Sequence, residues 1–458
     1  MSTTVPNLRR VFLAVSFLRW VGPGFIVPVL VLVLTSSGLR LAEVGVVFAV
    51  YGATTVLFEL PTGGLSDAIG RKPTLVTAGV LFVVFDVGVV MASSLPWFVA
   101  VAALGGAGRA LSSGPLESWY VDSARAVDPT LVLRKDLSLA GVLSGVALTA
   151  GALASVVFTN LPDTLLPGFT NVQLPILGAA VADGVFLAVV LVTLHEPDRS
   201  RSTLRQVIAD VPSVVRQGVR ISSRTPSIRI LLGTTFLVAV ALVTIEVLWQ
   251  PRYAEILGGP ESAAQVAGFV VAVIAAASVV GSWLAQFLPK GLAHRPGVAA
   301  CAVLLGGSIG LVGMARSMNP WMLGGLLFVV YVFVSLSGVL RQEMLHEWVP
   351  NEQRNTIVSV DSLAGQLGNV GASLLLIPIA GATSIAVGWI LGAVAMALSA
   401  MLVAFARMPN HFGSLPHTAV GSTNQDPPDS LKYRTEEPYG VEIEPSAGAD
   451  IDTRSDTP

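Results

Sequence analysis

Long apolar segments dominate this sequence and constrain its fold more than any other feature. A membrane-spanning helix needs about 20 apolar residues, and the sequence holds twelve segments of that kind. We number them spans 1 to 12, and they cover roughly residues 11–34, 42–62, 73–93, 97–119, 137–158, 174–194, 230–250, 265–288, 297–315, 321–341, 356–379 and 384–406. Strands of a transmembrane barrel are shorter and alternate in hydrophobicity. The pattern therefore predicts an all-α polytopic membrane protein with 12 transmembrane helices.

The composition agrees with this class and excludes several functions. The chain is 53% hydrophobic and 12% charged, whereas soluble proteins carry about 25% charged residues. Its single cysteine, Cys301, lies in span 9 and cannot form an internal disulfide. The sequence contains no metal-binding cluster, nucleophile motif or phosphate-binding loop. We therefore expect no enzymatic activity, no metal, no cofactor and no nucleic-acid partner.

The distribution of lysine and arginine predicts the orientation in the membrane. With a cytoplasmic N-terminus, the outer loops hold only Arg40, Arg252 and Arg316. Every other lysine or arginine that lies in a loop before residue 409 then falls on the inner side. Cytoplasmic loops are enriched in these residues. We expect a multi-pass protein of the cytoplasmic membrane with both termini in the cytoplasm.

A long inner loop divides the spans into two sets of six. Residues 195–229 are rich in arginine with interleaved valines, which predicts a cytoplasmic linker. The linker is either an amphipathic helix on the membrane surface or a solvated segment with one helical stretch. We expect a six-helix bundle on each side of it, at residues 1–194 and 230–408. Residues 409–458 contain acids, Pro, Ser and Gly with almost no apolar run, which predicts a disordered acidic cytoplasmic tail.

Short recurring motifs indicate that the two sets of spans are repeats. Each motif recurs at one offset (320 − 96 = 224): Pro96-Trp97 as Pro320-Trp321, Ser113-Gly114 as Ser337-Gly338, and Ser138-Leu139-Ala140-Gly141 as Ser362-Leu363-Ala364-Gly365. Each pair also lies at the same place in its helix. The constant offset favours a repeated six-helix unit.

The segment between spans 2 and 3 carries the most specific motif. Residues 63–72 read Gly-Gly-Leu-Ser-Asp-Ala-Ile-Gly-Arg-Lys. They fit the pattern G-x-L-a-D-r-x-G-R-[RK] of the major facilitator superfamily, except that Ala68 replaces the usual base. On this motif, residues 8–408 resemble a major facilitator superfamily transporter. The resemblance implies two six-helix bundles with a substrate site at their interface near the membrane midplane.

The resemblance also implies a gate on the cytoplasmic side. The gating residues are those of this loop and an acid at the inner end of span 4: Gly63, Asp67, Gly70, Arg71, Lys72 and Asp122. In the superfamily, the loop acid docks against the start of span 11, here Asn355-Thr356, and the loop arginine pairs with an acid that matches Asp122. We expect these contacts to bridge the two halves and close the inner side. Positive-inside topology alone would explain the two bases but not Asp67 or the glycines.

Ionisable residues inside the spans are candidates for function, because a charge at the centre of a bilayer is costly and is rarely kept without a role. These candidates for buried charge or proton coupling are Arg19, Glu59, Asp86, Arg109, Glu117, Asp183, Glu246 and Asp361. No histidine lies in a span, so coupled protons would be carried by carboxylates. By depth, Glu59 and Glu117 lie near the inner end and Glu246 lies near the outer end.

Two arginines among these candidates each admit two interpretations. Residues 109–114 (Arg-Ala-Leu-Ser-Ser-Gly) resemble the R-x-x-x-G motif of 12-span drug/proton antiporters, with one extra residue. That resemblance implies a role for Arg109 in proton coupling, and the alternative is a paired arginine that ties span 4 to its neighbour. Arg19 either binds an anionic group of the substrate or pairs with Asp183, because an unpaired buried guanidinium is costly. Spans 3 and 6 are peripheral in the superfamily, which favours structural pairing for Asp86 and Asp183.

The end of span 7 predicts a substrate-binding segment. Glu246, Trp249 and Gln250 offer an acid, an indole and an amide, a combination suited to a cationic amphiphile. The alternative is an interfacial tryptophan belt beside a kink at Pro251. With Arg19, these three residues are the substrate-cavity candidates.

Together these features predict a monomeric secondary active transporter that moves a small molecule across the lipid bilayer by alternating access. The antiporter-like motif favours proton-coupled efflux of a drug-like or amphiphilic compound. Span 5 has Gly141, Gly145 and Gly151 but lacks the proline of the antiporter motif, which leaves open a proton-coupled importer (symporter) of a small metabolite. The third hypothesis is a non-transporting membrane sensor or scaffold that acts through the acidic tail.

Overall fold

In the part of the chain that the structure describes, twelve helical segments are long and apolar enough to cross a membrane, which confirms the predicted all-α polytopic fold. The structure is a computed structural model that describes residues 4–161, 167–196, 225–293, 295–349 and 354–405, together with Arg216 and Arg220. The predicted linker at 195–229 lies largely outside the described residues, and the predicted tail at 409–458 lies entirely outside them. The division into two bundles at that linker stays a prediction.

The helix bounds agree with the predicted spans to within a few residues at most ends. In the first half, the spans are span 1 (Val5–Ile26 and Leu30–Ser36), span 2 (Leu41–Ile69), span 3 (Arg71–Met91), span 4 (Leu95–Ser112 and Pro115–Val127), span 5 (Arg134–Thr159) and span 6 (Leu174–Thr193). In the second half, they are span 7 (Pro226–Leu257), span 8 (Pro260–Leu284, continued by a 3-10 turn at Ala285–Phe287), span 9 (Pro296–Arg316), span 10 (Pro320–Trp348), span 11 (Arg354–Ala382) and span 12 (Ile385–Ala404). A short helix, Lys290–Ala293, precedes span 9. Proline begins several of these helices because its missing N–H is not needed in the first turn.

The two sets of six spans pack in corresponding ways. In the first half, span 1 packs against spans 5 and 6, span 3 against spans 4 and 6, and span 2 against span 4. In the second half, span 7 packs against spans 11 and 12, span 9 against spans 10 and 12, and span 8 against span 10. The halves meet where span 2 packs against span 11 and span 5 against span 8. This correspondence is the packing expected of a six-helix repeat.

Glycines allow the closest helix approaches between the halves. A Cβ atom on Gly268 in span 8 would lie 1.9 Å from the carbonyl oxygen of Ala152 in span 5. A Cβ atom on Gly45 in span 2 would lie 2.2 Å from the carbonyl oxygen of Ser373 in span 11. In lipid, helices associate through close van der Waals packing at small residues of this kind. Both contacts lie toward the predicted outer ends of the spans, so the halves touch closely there.

Spans 1 and 4 are interrupted, although the sequence predicts each as one continuous helix. Span 1 breaks at residues 27–29, where Pro28 lacks the N–H that would continue the helical ladder. Span 4 breaks between Ser112 and Pro115, where Gly114 has a φ of 94° that favours glycine. The breaks place irregular backbone at membrane depth, which is tolerated where it is buried in protein or lines a cavity.

The predicted loop between spans 2 and 3 is almost entirely helical. Span 2 continues to Ile69, so Gly63 and Gly64 lie within a helix rather than in a turn, and that part of the prediction is wrong. Gly70 alone separates the two helices, with a φ of 106°. Its lack of a Cβ makes this sharp change of direction possible within one residue. We keep the name gating loop for residues 63–72.

Candidate functional site

A central cavity of about 1320 Å³ lies between the two halves. Spans 1, 2 and 5 line it from the first half, and spans 7, 8 and 10 line it from the second. Val27, Leu30 and Gln250 lie toward its predicted outer end, whereas Ser138 and Ser282 lie near the predicted inner ends of spans 5 and 8. The cavity therefore extends from the middle of the bundle toward the predicted inner side.

Glu246 gives this cavity its charge. It is the only charged residue among the lining residues that the structure describes, and its side chain is exposed to the cavity. Span 7 runs through Pro251 and ends at Leu257, so Glu246 lies 257 − 246 = 11 residues before the helix end. The prediction that Glu246 lies near the outer end is wrong, because a proline is tolerated inside a membrane helix. The acid instead faces the interior of the cavity.

Trp249 and Tyr331 also line the cavity. Trp249 is buried and packs edge-on against Tyr253, with ring centroids 5.9 Å apart. This position differs from that of an interfacial tryptophan, whose ring lies at the level of the lipid head groups. The apolar lining, with aromatic rings and one acid, is the chemistry predicted for a cationic amphiphile.

Gln250 joins the two halves at the predicted outer end. Its Oε1 atom accepts hydrogen bonds from the backbone N–H groups of Val31, at 3.1 Å, and Leu32, at 3.3 Å. Its Nε2 atom donates to the carbonyl oxygen of Val27 at 3.0 Å. Val31 and Leu32 belong to the first turn of the second helix of span 1, where backbone N–H groups have no partner within the helix. The amide of Gln250 therefore caps the broken span 1 and is occupied by that contact.

A second cavity of about 310 Å³ lies within the first half and is lined from spans 1, 2, 3, 4, 5 and 6. It shares Val27, Leu30, Phe48 and Leu148 with the central cavity, so the two adjoin. Its ionisable lining residues come from spans 1, 2, 3, 4 and 6, and they are Arg19, Tyr51, Asp86, Arg109 and Asp183. Four of the predicted buried charges are thus brought together here.

The indole of Trp20 contacts both arginines of this cavity. The guanidinium carbon of Arg19 is 5.6 Å from the ring centroid and that of Arg109 is 5.3 Å from it. Arg19 also donates to the carbonyl oxygen of Ser112 at 2.8 Å and lies 3.7 Å from Glu117. Ser112 ends the first helix of span 4, where a positive charge is stabilised by the helix dipole. The expected pairing of Arg19 with Asp183 is therefore wrong.

Asp183 in span 6 instead lines this cavity together with Asp86 in span 3. The two residues are 3% and 2% exposed, and Oδ1 of Asp183 and Oδ2 of Asp86 meet no hydrogen-bond donor among the described residues. Asp183 also lies against span 1, since a Cβ atom on Gly22 would be 2.4 Å from its Oδ1 atom. Neither acid forms a salt bridge within the described part of the chain, so the structural ion pairing expected for them is not found there.

The gating loop is held within the first half. Arg71 forms a salt bridge with Asp122 at 2.5 Å, which confirms the predicted pair. Both residues belong to spans 1–6, so this contact does not bridge the halves, and that part of the prediction is wrong. Lys72 donates to the carbonyl oxygen of Leu191 at 2.7 Å. The side chains of Asp67, Asn355 and Thr356 lie outside the described part of the chain, so their contact stays a prediction.

Glu196 is a residue of this region that the sequence analysis missed. Its Oε1 atom accepts from the backbone N–H of Arg71 at 2.7 Å, and its Oε2 atom from that of Lys72 at 3.4 Å. A carboxylate at the N-terminus of a helix satisfies free N–H groups and interacts favourably with the helix dipole. Nearby, Trp119 donates to the carbonyl oxygen of His195 at 3.0 Å. The start of the predicted linker is thereby attached to the gating loop.

The remaining candidates lie in the second half and in spans 2 and 4. Asp361 in span 11 forms a salt bridge with Arg341 in span 10 at 2.5 Å and accepts from Thr235 in span 7 at 2.5 Å. Arg341 is the last residue of predicted span 10, whereas the helix continues to Trp348 and places it within the span. Asp361 thus ties three spans of the second half together.

Glu59 and Glu117 lie deeper than predicted. Glu59 is partly exposed and lies 69 − 59 = 10 residues before the end of span 2. Glu117 lies 127 − 117 = 10 residues before the end of span 4. The prediction that both lie near the inner end is therefore wrong.

Comparison with known proteins agrees with this architecture. Residues 12–368 match the family model of the Major Facilitator Superfamily. The chain is 34% identical over 96 residues to the inner membrane transport protein YajR of Escherichia coli (strain K12), a match that spans 20% of each protein. It is 25% identical over 330 residues to the class E tetracycline resistance protein of Escherichia coli, covering 69% of this chain and 74% of that protein.

Solved structures of similar shape are also transporters. The nucleoside transporter NupG superposes with a TM-score of 0.69 at 11% identity, covering 87% of this chain and 98% of that one. A D-xylose–proton symporter gives 0.65 at 16% identity, covering 87% and 96%. A bacterial homologue of the human lysosomal transporter Spinster, in an inward-facing and unoccupied conformation, gives 0.67 at 15% identity, covering 88% and 95%. At these identities the likeness concerns the fold, and the family follows from the match over residues 12–368. The chain therefore belongs to the major facilitator superfamily and is a transporter rather than an enzyme.

Proposed function

We propose that this transporter exports a small amphiphilic compound with a cationic group, in exchange for protons, by alternating access across the cytoplasmic membrane. The observation that carries the proposal is Glu246, the only charged residue among the described lining of an otherwise largely apolar cavity of about 1320 Å³.

The lining matches both parts of such a compound. A carboxylate in a largely apolar cavity is less favourable without a positive partner, and a substrate cation supplies one. The rings of Trp249, Tyr331 and Phe48 line the same cavity and offer faces that attract cations and pack against aromatic groups. Aliphatic residues such as Val271 and Ile274 suit an apolar body. The volume exceeds the roughly 300–1,000 Å³ of most drug-sized sites, so substrate and water fit together.

The described state is one in which an exporter would load its substrate. Gln250 joins span 1 to span 7 at the predicted outer end, and the glycine contacts of spans 5 and 8 lie on that side. The cavity extends toward the predicted inner side, which the distribution of lysine and arginine assigns to the cytoplasm. An importer would release its substrate in the same state, so the direction rests on the relatives. The tetracycline resistance relative, 25% identical over 330 residues, supports export through its name.

An importer of a polar metabolite is the second candidate, and the fold neighbours include a nucleoside transporter and a D-xylose–proton symporter. A site for such a solute needs several convergent hydrogen-bonding groups. The described lining offers few, and the amide of Gln250 is occupied by span 1. The sensor hypothesis rests on the tail at 409–458, which lies outside the described residues.

A transport assay in proteoliposomes tests the proposal. Purified protein would be reconstituted with a fluorescent aromatic cation such as ethidium, and a pH gradient of either sign would be imposed. We expect ethidium to move against the proton flow and Glu246→Gln to abolish binding and flux. Glu261→Gln, an exposed acid at the start of span 8, is the matched control and should transport normally.

Ethidium flux in the same direction as the proton flow would show that the protein is a symporter and not an exchanger. A Glu246→Gln variant that transports ethidium as well as wild type does would remove the cation-binding role of this acid. A folded protein that shows no response to any imposed pH gradient would overturn proton coupling.

A further inference from the structure

We propose that Asp86 and Asp183, two buried acids that line one cavity of the first half, form the proton-binding site of this transporter and together hold at least one proton in the state described here. The inference deepens the proposed function and rests on its proton coupling. The proton site then lies in the first half. It is separate from Glu246, the acid of the second half that faces the central cavity.

The surroundings of the two acids favour a bound proton. Oδ2 of Asp86 and Oδ1 of Asp183 are buried, and neither meets a hydrogen-bond donor among the described residues. An ionised carboxylate without a donor or a cation is costly at this depth. A protonated acid contains a donor, which an ionised carboxylate lacks, so a proton on one of the two acids lowers this cost.

Like charges also disfavour the doubly ionised pair. Two adjacent carboxylates with little contact to water repel each other, and a shared proton relieves that repulsion. With Asp86 2% and Asp183 3% exposed, the groups have almost no solvent to screen them. Neither acid forms a salt bridge with an arginine or lysine of the described chain.

The charged groups around the pair are fixed by other contacts. Arg19 from span 1 bonds to Ser112 and lies near Glu117, and Arg109 from span 4 stacks on Trp20. Tyr51 from span 2 lines the same cavity, and span 5 contributes the uncharged Leu148 to it. The arginines line the same cavity without forming a salt bridge with either acid. They would stabilise the anion that remains when the pair has given up a proton.

The position of the pair also gives a proton a path and a mechanical effect. Both acids line the cavity of about 310 Å³ that adjoins the central cavity, so a proton reaches them from the same space as the substrate. The carboxyl group of Asp183 lies against Gly22 of span 1, a few residues before the break at 27–29 that Gln250 holds. A change of charge on the pair therefore acts on the span that closes the predicted outer end.

Infrared spectroscopy tests the proton directly and needs no substrate. A pH titration of purified protein in lipid nanodiscs should show a carboxylic-acid C=O band at neutral pH that shifts in heavy water. We expect the double variant Asp86→Asn/Asp183→Asn to remove that band, since neither acid of the pair then remains. Glu261→Gln should leave the band unchanged. A wild type without this band at neutral pH, or a band that persists in the double variant, would overturn the inference.

Transport measurements separate a proton site from a structural pair. In proteoliposomes, Asp86→Asn and Asp183→Asn should lose ethidium flux driven by a pH gradient while keeping ethidium counterflow, which needs no net proton movement. Asn keeps the size and hydrogen-bonding capacity of Asp, so a merely structural pair would retain both activities or lose both with its stability. Retained pH-driven flux in both variants would overturn the inference. If wild type carries no ethidium at all, the proposed substrate class fails, while the infrared titration still decides the proton site.

Discussion

The side-chain amide of Gln250 in span 7 caps the second helix of span 1, whose first turn includes Val31. This contact joins the two halves at a point where the backbone of span 1 is broken. The contact holds the predicted outer end closed. It uses backbone N–H groups of span 1 that would be bonded within the helix if that helix were continuous.

Replacing Gln250 with alanine should open the predicted outer end more often. The change removes three hydrogen bonds. Each is worth about 1 kcal/mol, and the loss of even one would shift the ratio of closed to open states by about fivefold. The measurement is the rate at which an impermeant thiol reagent reaches Leu148→Cys from outside, in a Cys301→Ser background. Gln286→Ala, at an exposed glutamine after span 8, is the control. An unchanged labelling rate in Gln250→Ala would show that the amide does not hold the gate.

Gly268→Ala should destabilise the described state by pushing span 8 away from span 5. The added methyl group would lie 1.9 Å from the carbonyl oxygen of Ala152. That oxygen belongs to the backbone of span 5, so the helix itself must move to relieve the clash. We expect a loss of about 1–3 kcal/mol, measured as a lower thermal unfolding midpoint in detergent. Gly184→Ala is the matched control, because a Cβ atom there meets nothing within 4 Å. Equal midpoints for the two variants would contradict the close approach.

The pair Arg71–Asp122 should contribute to the stability of the first half rather than to its contact with the second. Arg71→Ala and Asp122→Ala should each lower stability by about 1.5–3 kcal/mol, the range for hydrogen bonds to charged groups. The double variant should be no less stable than Arg71→Ala. This result corresponds to a coupling energy between the two side chains of at least about 0.5 kcal/mol. The measurement is thermal unfolding of all four proteins. Additive losses would show that the two side chains do not interact in solution.

Glu196→Gln should weaken the start of span 3. The carboxylate accepts from the N–H groups of Arg71 and Lys72, and loss of its charge at a helix N-terminus is worth about 0.3–1 kcal/mol. The expected result is a small fall in the unfolding midpoint that shrinks at high salt. Glu347→Gln, an exposed acid near the end of span 10, should show no such fall. A salt-independent effect would point to packing instead of the dipole.

The sequence predicts the membrane spans well because lipid imposes a strong and local requirement. A segment either is apolar for about 20 residues or cannot cross, and the twelve helices obey this rule. The pair Arg71–Asp122 is predictable for another reason, since the motif at residues 63–72 carries a known spacing to span 4. Both predictions need only information that is close together in the chain.

The contacts inside the bundle need information that the sequence does not hold locally. Asp86 and Asp183 are 183 − 86 = 97 residues apart, and only the packing of span 3 against span 6 brings them together. Charge alone would pair Asp183 with an arginine, whereas the folded chain places it in one cavity with a second acid. The sequence places Glu246 and Arg341 too close to the ends of their spans. Spans 7 and 10 continue past the residues where hydropathy falls, so the predicted ends come too early.

The contacts of Glu196 and Gln250 with helix starts cannot be predicted from hydropathy. Each side chain bonds to backbone N–H groups at a helix start, namely Arg71 and Lys72 for the first and Val31 and Leu32 for the second. The need for such partners follows from any helix that begins in the interior. Which side chain meets that need depends on tertiary structure, and the break in span 1 is itself not evident from an apolar pattern.

The two arginines that contact Trp20 share the first half with acids, so the charge of that wall is not fixed. The first half carries Arg19 and Arg109 together with Asp86 and Asp183, and the second half carries Glu246. Charges act over longer distances where water is scarce. If the two acids exchange protons as proposed, each cycle would change the attraction of the first half for a positively charged cargo, while Glu246 would hold that cargo on the second half.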